Sequence, residues 1–215
     1  MPCMKVLGID EAGRGPIVGA MVMAGVMGEE EKFRAMGAKD SKMLSPRQRE
    51  RLFDRIISAA AAYKIILIPP AEIDEAVLSK KHNLNWLEAD HTAAIIEELK
   101  PDKVIIDCPS NNIKQYVRYL SSKLSYQPEI VMEHQADVNY PIVGAASILA
   151  KVTRDREIKK IEEKVGPLGS GYMSDPVTQE FLKRHYEKFP EIFRKSWKPY
   201  KKTLDGKNQK SLGEF

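Results

Sequence analysis

An α/β layered domain built on a mixed sheet is what this sequence predicts. Three observations carry that prediction: two short apolar runs stand near the start, strand-like and helix-like segments alternate after them, and one later run is apolar enough to be covered on both faces. The first two runs, Lys5–Ile9 and Ala20–Met27, are rich in Val and Met and read as strands. Ser45–Pro46 starts a helix, with a hydroxyl cap and proline at the first helical position; Leu52, Ile56, Ala59 and Ala60 recur behind it at helical spacing. Tyr63–Ile68 is a third strand, stopped by Pro69–Pro70. Leu84–Leu99 reads as a helix and Lys103–Asp107 as the strand covered on both faces. Ile113–Leu124 is helical, Glu129–Met132 is a short fifth strand, and Pro141–Lys164 is a long helix closed by Gly166–Pro167. After Gly169–Ser170–Gly171, Asp175–Pro176 opens a helix running to about Lys188. Beyond Pro190 the pattern breaks up, and Lys201–Phe215 reads as a flexible tail.

With 215 residues, 43% hydrophobic and 30% charged, the chain is long enough and balanced enough to bury a core. Uncharged runs such as Pro16–Gly28, 13 residues, fall short of the roughly 20 that cross a bilayer. Lys5 and the pair Asp10–Glu11 interrupt any apolar core of a secretory signal. Cys3 and Cys108 form neither a ligand spacing nor a disulfide framework, so a soluble protein of a reducing, cytoplasmic compartment is expected. The net charge of +4 is uneven: Lys183–Lys210 carries ten Lys/Arg against three acids, +7, on a body of −3. A basic C-terminal region on a mildly acidic body suits a polyanion such as nucleic acid, and equally suits a solvated lysine-rich tail.

The chemistry-bearing residues are acids at the ends of apolar runs. In Gly8-Ile-Asp-Glu-Ala-Gly-Arg-Gly15 two carboxylates close a buried strand and run into a glycine turn. Neighbouring strand residues point to opposite faces, so both acids reach one site only if the chain bends, which Gly13 and Gly15 allow. Val104–Asp107 repeats the pattern, at the strand end where ligands of α/β sheets gather. Asp137 lies just before the helix opening near Pro141, where the helix macrodipole alone would also favour an acid. Asp10, Glu11, Asp107 and Asp137 make an all-oxygen set suited to Mg²⁺ or Mn²⁺, and the lack of Cys/His spacing argues against structural zinc. Two such ions about 4 Å apart would serve phosphodiester hydrolysis.

These stretches, with Lys39-Asp-Ser-Lys-Met-Leu44, Ala136-Asp137, Ala145-Ala-Ser-Ile-Leu-Ala-Lys151 and Gly169-Ser-Gly-Tyr172, resemble ribonuclease HII of the archaeal kind, from about Val6 to Lys198. The resemblance implies a ribonuclease H-like fold: a five-stranded mixed sheet flanked by helices, with a helical C-terminal extension. It divides the chain into a catalytic domain (1–165), an extension contacting substrate (166–200) and a basic tail (201–215). It implies that Asp10, Glu11, Asp107 and Asp137 bind two divalent cations and hydrolyse the phosphodiester 5′ of a ribonucleotide in RNA/DNA hybrids or singly embedded in DNA, leaving 3′-hydroxyl and 5′-phosphate ends. By the same resemblance the backbone of Gly13, Arg14 and Gly15 senses the 2′-hydroxyl, Tyr172 packs on the deoxyribose beyond the junction, and Lys42, Ser147, Lys151 and Arg154 meet phosphates. Lys151 and Asp155 equally fit a helical surface pair. Cys108 and Gly144 depart from the family, standing where small hydroxyl residues are expected; His91 and His134 read as packing or surface residues, His134 near enough to the acids to assist at the site's edge.

The last seven residues, Gln209-Lys-Ser-Leu212-Gly-Glu-Phe215, resemble the Gln-x-x-Leu-x-x-Phe peptides that dock on sliding clamps (PCNA), without a second aromatic residue. The expected partners are therefore ribonucleotide-containing duplexes and a clamp, for a monomer with no membrane contact. Two competing readings are a sugar-kinase or actin-like ATPase, from Gly8-Ile-Asp10 and its glycine turn, and a clamp-tethered nucleic-acid binder without catalysis.

Overall fold

The apolar runs near the start become β1 (Val6–Ala12) and β2 (Met21–Met27), paired antiparallel from Leu7↔Met27 to Ala12↔Val22. The computed structural model describes residues 4–38 and 43–212, with side chains through residue 205. A short helix α1 (Glu30–Ala35) precedes α2 (Pro46–Ala59), which begins where a hydroxyl cap and proline require. The Gln48 N–H donates to the Ser45 hydroxyl at 3.3 Å and the Ser45 N–H donates to the Gln48 side-chain oxygen at 2.8 Å, a reciprocal capping box. Then come β3 (Ala62–Ile68), α3 (Pro70–Leu78), α4 (Leu84–Leu99), β4 (Lys103–Asp107), α5 (Ile113–Ser122), β5 (Glu129–Glu133) and the single turn α6 (Ala136–Asn139). The chain ends with α7 (Pro141–Val165), α8 (Pro176–His185), a 3₁₀ turn (Pro190–Ile192) and α9 (Lys198–Leu212).

The sheet has five strands in the order β3-β2-β1-β4-β5, with β4 parallel to β1 and β5 parallel to β4, so it is mixed as expected. Among the described residues no helix is long and apolar enough to cross a membrane. Cys3 lies outside the described residues.

The chain forms two compact units interleaved in sequence: residues to Ala12 with Val22–Leu67 and Leu84–Arg154, and Gly13–Met21 with Ile68–Asn83 and everything from Asp155. The first unit packs Val22, Ala24 and Val26 of β2 with Phe33, Phe53 and Ile56 and with Ile142, Val143, Ala146 and Leu149 of α7. Here β1 and α7 touch backbone to backbone: a Cβ built on Gly8 would lie 2.6 Å from the carbonyl of Ile142. Gly144 is enclosed the same way, its Cβ position 2.2 Å from the Ala38 carbonyl oxygen, which explains why no hydroxyl residue stands there.

In the second unit Ile17, Val18, Leu168, Phe181, Tyr186, Phe193 and Tyr200 form a separate core. Tyr200 sets its ring edge-on to Tyr186 at 6.2 Å and donates its hydroxyl to the Tyr186 carbonyl at 3.3 Å. That anchor is why residues 201–212, part of the stretch read from sequence as a flexible tail, continue as α9: a first turn fixed by packing makes each further helical residue cheap to add. Sequence periodicity also passes over α1, α3 and α6, which are six, nine and four residues long. Helices this short show too few turns for a repeat.

Candidate active site

Parallel pairing of Ile9 with Ile106 puts the next residues, Asp10 and Asp107, at one level of adjacent strands. Asp107 pairs with Glu133 at the end of β5, after which Gln135 takes a left-handed conformation (φ 62°) and turns the chain into α6, which carries Asp137. Carboxylate oxygens of Asp10, Asp107 and Asp137 lie within 4.8 Å of one another. Asp10 is 5% exposed, Asp137 1%, and Asp107 is half-buried. The Ala136 N–H donates to Asp107 Oδ1 at 3.2 Å and the Glu11 N–H donates to Asp10 Oδ1 at 2.7 Å, so main-chain donors aim two of the acids.

Three carboxylates this close cannot all ionise without cost. Burial above all, with the charges of Asp107 and Asp137, pushes the Asp10 carboxyl up to about 7, against hydrogen bonds from the Ser147 hydroxyl and the Glu11 N–H. A divalent cation reverses that balance, and an all-carboxylate set selects a hard one. The donor chemistry therefore fits a metal.

The structure brings together three of the four expected acids. Glu11 is not one of the three whose oxygens lie within 4.8 Å of one another; it follows Asp10 on β1, which stays regular through Ala12, pairing Asp10 with Ala24 and Glu11 with Met23. The glycines expected to bend the chain come just after the strand ends. Glu11 remains in electrostatic reach of Cys108, whose thiol is pushed up first by burial and then by Asp107, Glu11 and Glu88, against its hydrogen bond to Ser110. His134 sets Nδ1 3.1 Å from the Cys108 carbonyl oxygen.

Ser147, Lys151 and Arg154 follow one face of α7 in the first unit; Ser147 bonds Asp10, Lys151 is half-buried and Arg154 is 8% exposed. Gly13, Arg14, Gly15 and Tyr172 all belong to the second unit, where Ile17 N–H donates to the Gly171 carbonyl at 2.8 Å and a Cβ on Gly15 would meet Tyr172 at 3.7 Å. Tyr172 is 39% exposed on a loop held by Asp175, which accepts from Ser170 N–H at 2.7 Å, and by Thr178, which accepts from Gly171 N–H at 3.0 Å. Lys42 and Phe215 lie outside the described residues, and for Gln209 and Leu212 only the helical backbone is described.

Sequence reading missed Arg194 and Trp197. Arg194 is fully buried and donates to the carbonyls of Gly13, Arg14 and Gly19, while Trp197 donates to that of Gly15. Asp74 fixes the same segment, accepting from the Lys195 and Ser196 N–H groups at 2.8 Å each. These partners lie 121 to 182 residues apart in sequence, beyond any local pattern; a Trp and an Arg amid lysines were the only signal.

The family model described as Ribonuclease HII matches residues 7–200. A ribonuclease HII of Thermococcus sibiricus is 45% identical over 99% of this chain and 98% of its own length. The crystal structure of ribonuclease H2 from Pyrococcus horikoshii OT3 superposes with TM-score 0.86 at 41% identity, covering 94% of this chain and 98% of that one. A ribonuclease HII from Archaeoglobus fulgidus, solved in complex with PCNA, superposes with TM-score 0.83 at 39% identity, covering 91% of this chain and 96% of that one.

Proposed function

The chain belongs to the ribonuclease HII family, and from that premise we propose that it starts the removal of ribonucleotides from DNA, cutting on the 5′ side of even a single embedded one. As a family member it is a metal-dependent ribonuclease H, an endoribonuclease of RNA/DNA hybrids. The observation that carries the finer reading is the group of Asp10, Asp107 and Asp137, the first and last of them buried, with oxygens within 4.8 Å of one another.

These three, with Glu11, would hold two Mg²⁺ or Mn²⁺ ions. When bound, the ions supply an activated water and neutralise the leaving 3′-oxygen, giving 3′-hydroxyl and 5′-phosphate ends. The chain's own part is positioning. Ser147 donates to Asp10, and the Ala136 N–H holds Asp107. The backbone of Gly13–Gly15 takes the 2′-hydroxyl, Arg14 forks onto a phosphate, Tyr172 packs on the deoxyribose, and Lys42, Ser147, Lys151 and Arg154 serve the phosphate track. Neighbouring Gly15 and Tyr172 in the second unit support this reading, as does Ser147 beside Asp10. We take the protein as a cytoplasmic monomer.

A labelled DNA duplex carrying one ribonucleotide is the direct test. Cleavage 5′ of the ribonucleotide is expected with Mg²⁺ or Mn²⁺, and none with chelator or on an all-DNA twin. A duplex left intact under both metals would overturn the reading.

Residues 201–215 form the clamp-binding tail, with Gln209, Leu212 and Phe215 as its contacts. Helical backbone through Leu212, and a relative solved in complex with PCNA, support it. Deleting Gln209–Phe215 is expected to abolish binding to the sliding clamp while leaving cleavage of a short duplex intact. Unchanged clamp affinity by calorimetry would sink the assignment.

A further inference from the structure

A buried guanidinium needs hydrogen-bond acceptors for its donors, and Arg194 finds them in one loop. Its Nη1–H donates to the Arg14 carbonyl at 2.8 Å, its Nη2–H to those of Gly13 at 2.5 Å and Gly19 at 3.1 Å, and its Nε–H to Gly19 at 3.1 Å. Its guanidinium lies over the Trp197 ring at 5.2 Å, and Trp197 Nε1–H donates to the Gly15 carbonyl at 3.2 Å. Three successive carbonyls, those of Gly13, Arg14 and Gly15, are thus drawn to one side by two side chains of one short segment.

Every described peptide bond is trans. In a planar trans peptide the carbonyl of one residue and the N–H of the next point in opposite directions. The Gly13 and Arg14 carbonyls face the guanidinium, so the N–H groups of Arg14 and Gly15 are directed away from it. Pro16, which follows, has no N–H, so this pair of donors ends at Gly15. Successive N–H groups on one side of a turn make a concavity that accepts an oxygen.

We propose that Arg194 is a positioning residue for ribonucleotide recognition: with Trp197 it holds the Gly13–Gly15 carbonyls on one side so that the Arg14 and Gly15 N–H groups stand as fixed donors to the 2′-oxygen. The proposal rests on the reading that this loop senses the 2′-hydroxyl. Fixed donors lose no orientational freedom on binding, so the energy of each hydrogen bond goes into discrimination between ribose and deoxyribose. Only a planar fork reaches these three carbonyls at once; a lysine ammonium concentrates its donors at one point.

The test compares binding of two duplexes, one with a single ribonucleotide and one all-deoxy, with Ca²⁺ in place of the catalytic metal and the strands checked to be uncut. Wild type is expected to prefer the ribonucleotide duplex. Arg194→Lys and Trp197→Phe are each expected to reduce that preference about tenfold, the loss of roughly one hydrogen bond, while affinity for the all-deoxy duplex is kept. A merely structural role would instead lower both affinities together. If Arg194→Lys fails to fold by circular dichroism, Trp197→Phe, which keeps an aromatic ring and removes one exposed donor, decides the matter. Full preference in a folded variant overturns the role of Arg194 and Trp197 alone. No preference in wild type overturns the sensing role of the loop and the positioning role of Arg194 and Trp197 with it.

Discussion

Replacing Asp10 with Asn raises the melting temperature of the metal-free protein at pH 8 and reduces cleavage on the order of a thousandfold, the loss expected when a group that supports transition-state charge is removed. The sign follows from the site. In the unfolded chain Asp10 ionises near 3.8, and in the fold it is pushed up to about 7 by burial and by Asp107 and Asp137. Between those values the fold holds a proton the unfolded chain has lost, so stability from this group falls as pH rises through the window and is lowest above 7. The difference is on the order of 4 kcal/mol, and a chain of this size shifts by roughly 2–4 °C per kcal/mol. Asn keeps an acceptor for the Glu11 N–H, now 2.7 Å from Asp10 Oδ1, and carries no charge to bury. Adding Mn²⁺ should stabilise wild type and leave Asp10→Asn nearly unmoved, because the cation binds the folded site and not the unfolded chain. Thermal melts at pH 5 and pH 8, with and without metal, check each part. A variant less stable than wild type at pH 8 without metal would refute the electrostatic account.

Gly8→Ala is expected to cost about 3 kcal/mol, the upper end of what overpacking a core imposes. Its new methyl would sit 2.6 Å from the carbonyl carbon and oxygen of Ile142 and 2.7 Å from the nitrogen of Val143. All three are main-chain atoms, and no rotamer change relieves them. Gly144→Ala meets the same kind of obstacle, at 2.2 Å from the Ala38 carbonyl oxygen and 3.1 Å from that of Asp137. Gly8 precedes Asp10 by two residues and Ile142 follows Asp137 by five, so forcing β1 from the start of α7 also spreads the acids. Both variants should therefore lose Mn²⁺ affinity as well as stability. Denaturant midpoints and metal titrations measure the two effects separately. A midpoint equal to wild type would mean that β1 and α7 can part without consequence.

The acids were legible because chemistry and position coincide in sequence. Asp10 and Asp107 each close an apolar run, and Asp137 stands four residues before a proline that opens a helix. Five strands and the long helices were legible for a related reason: their apolar residues repeat at a period long enough to read. The short helices α1, α3 and α6 were not, and the C-terminal residues read as a flexible tail are helical to Leu212 because Tyr200 packs among residues distant in sequence.

Local order alone therefore announced an α/β sheet protein with carboxylates at its strand ends. How the carboxylates converge was a matter of register: parallel pairing brings Asp107 beside Asp10 from 97 residues away. The close backbone contacts of Gly8 and Gly144, and the grip of Arg194 on carbonyls 175 to 181 residues earlier, belong to the same class. Periodicity and capping act over a few residues and leave marks in the chain; a hydrogen bond or steric contact between distant segments exists only once folding has set them side by side.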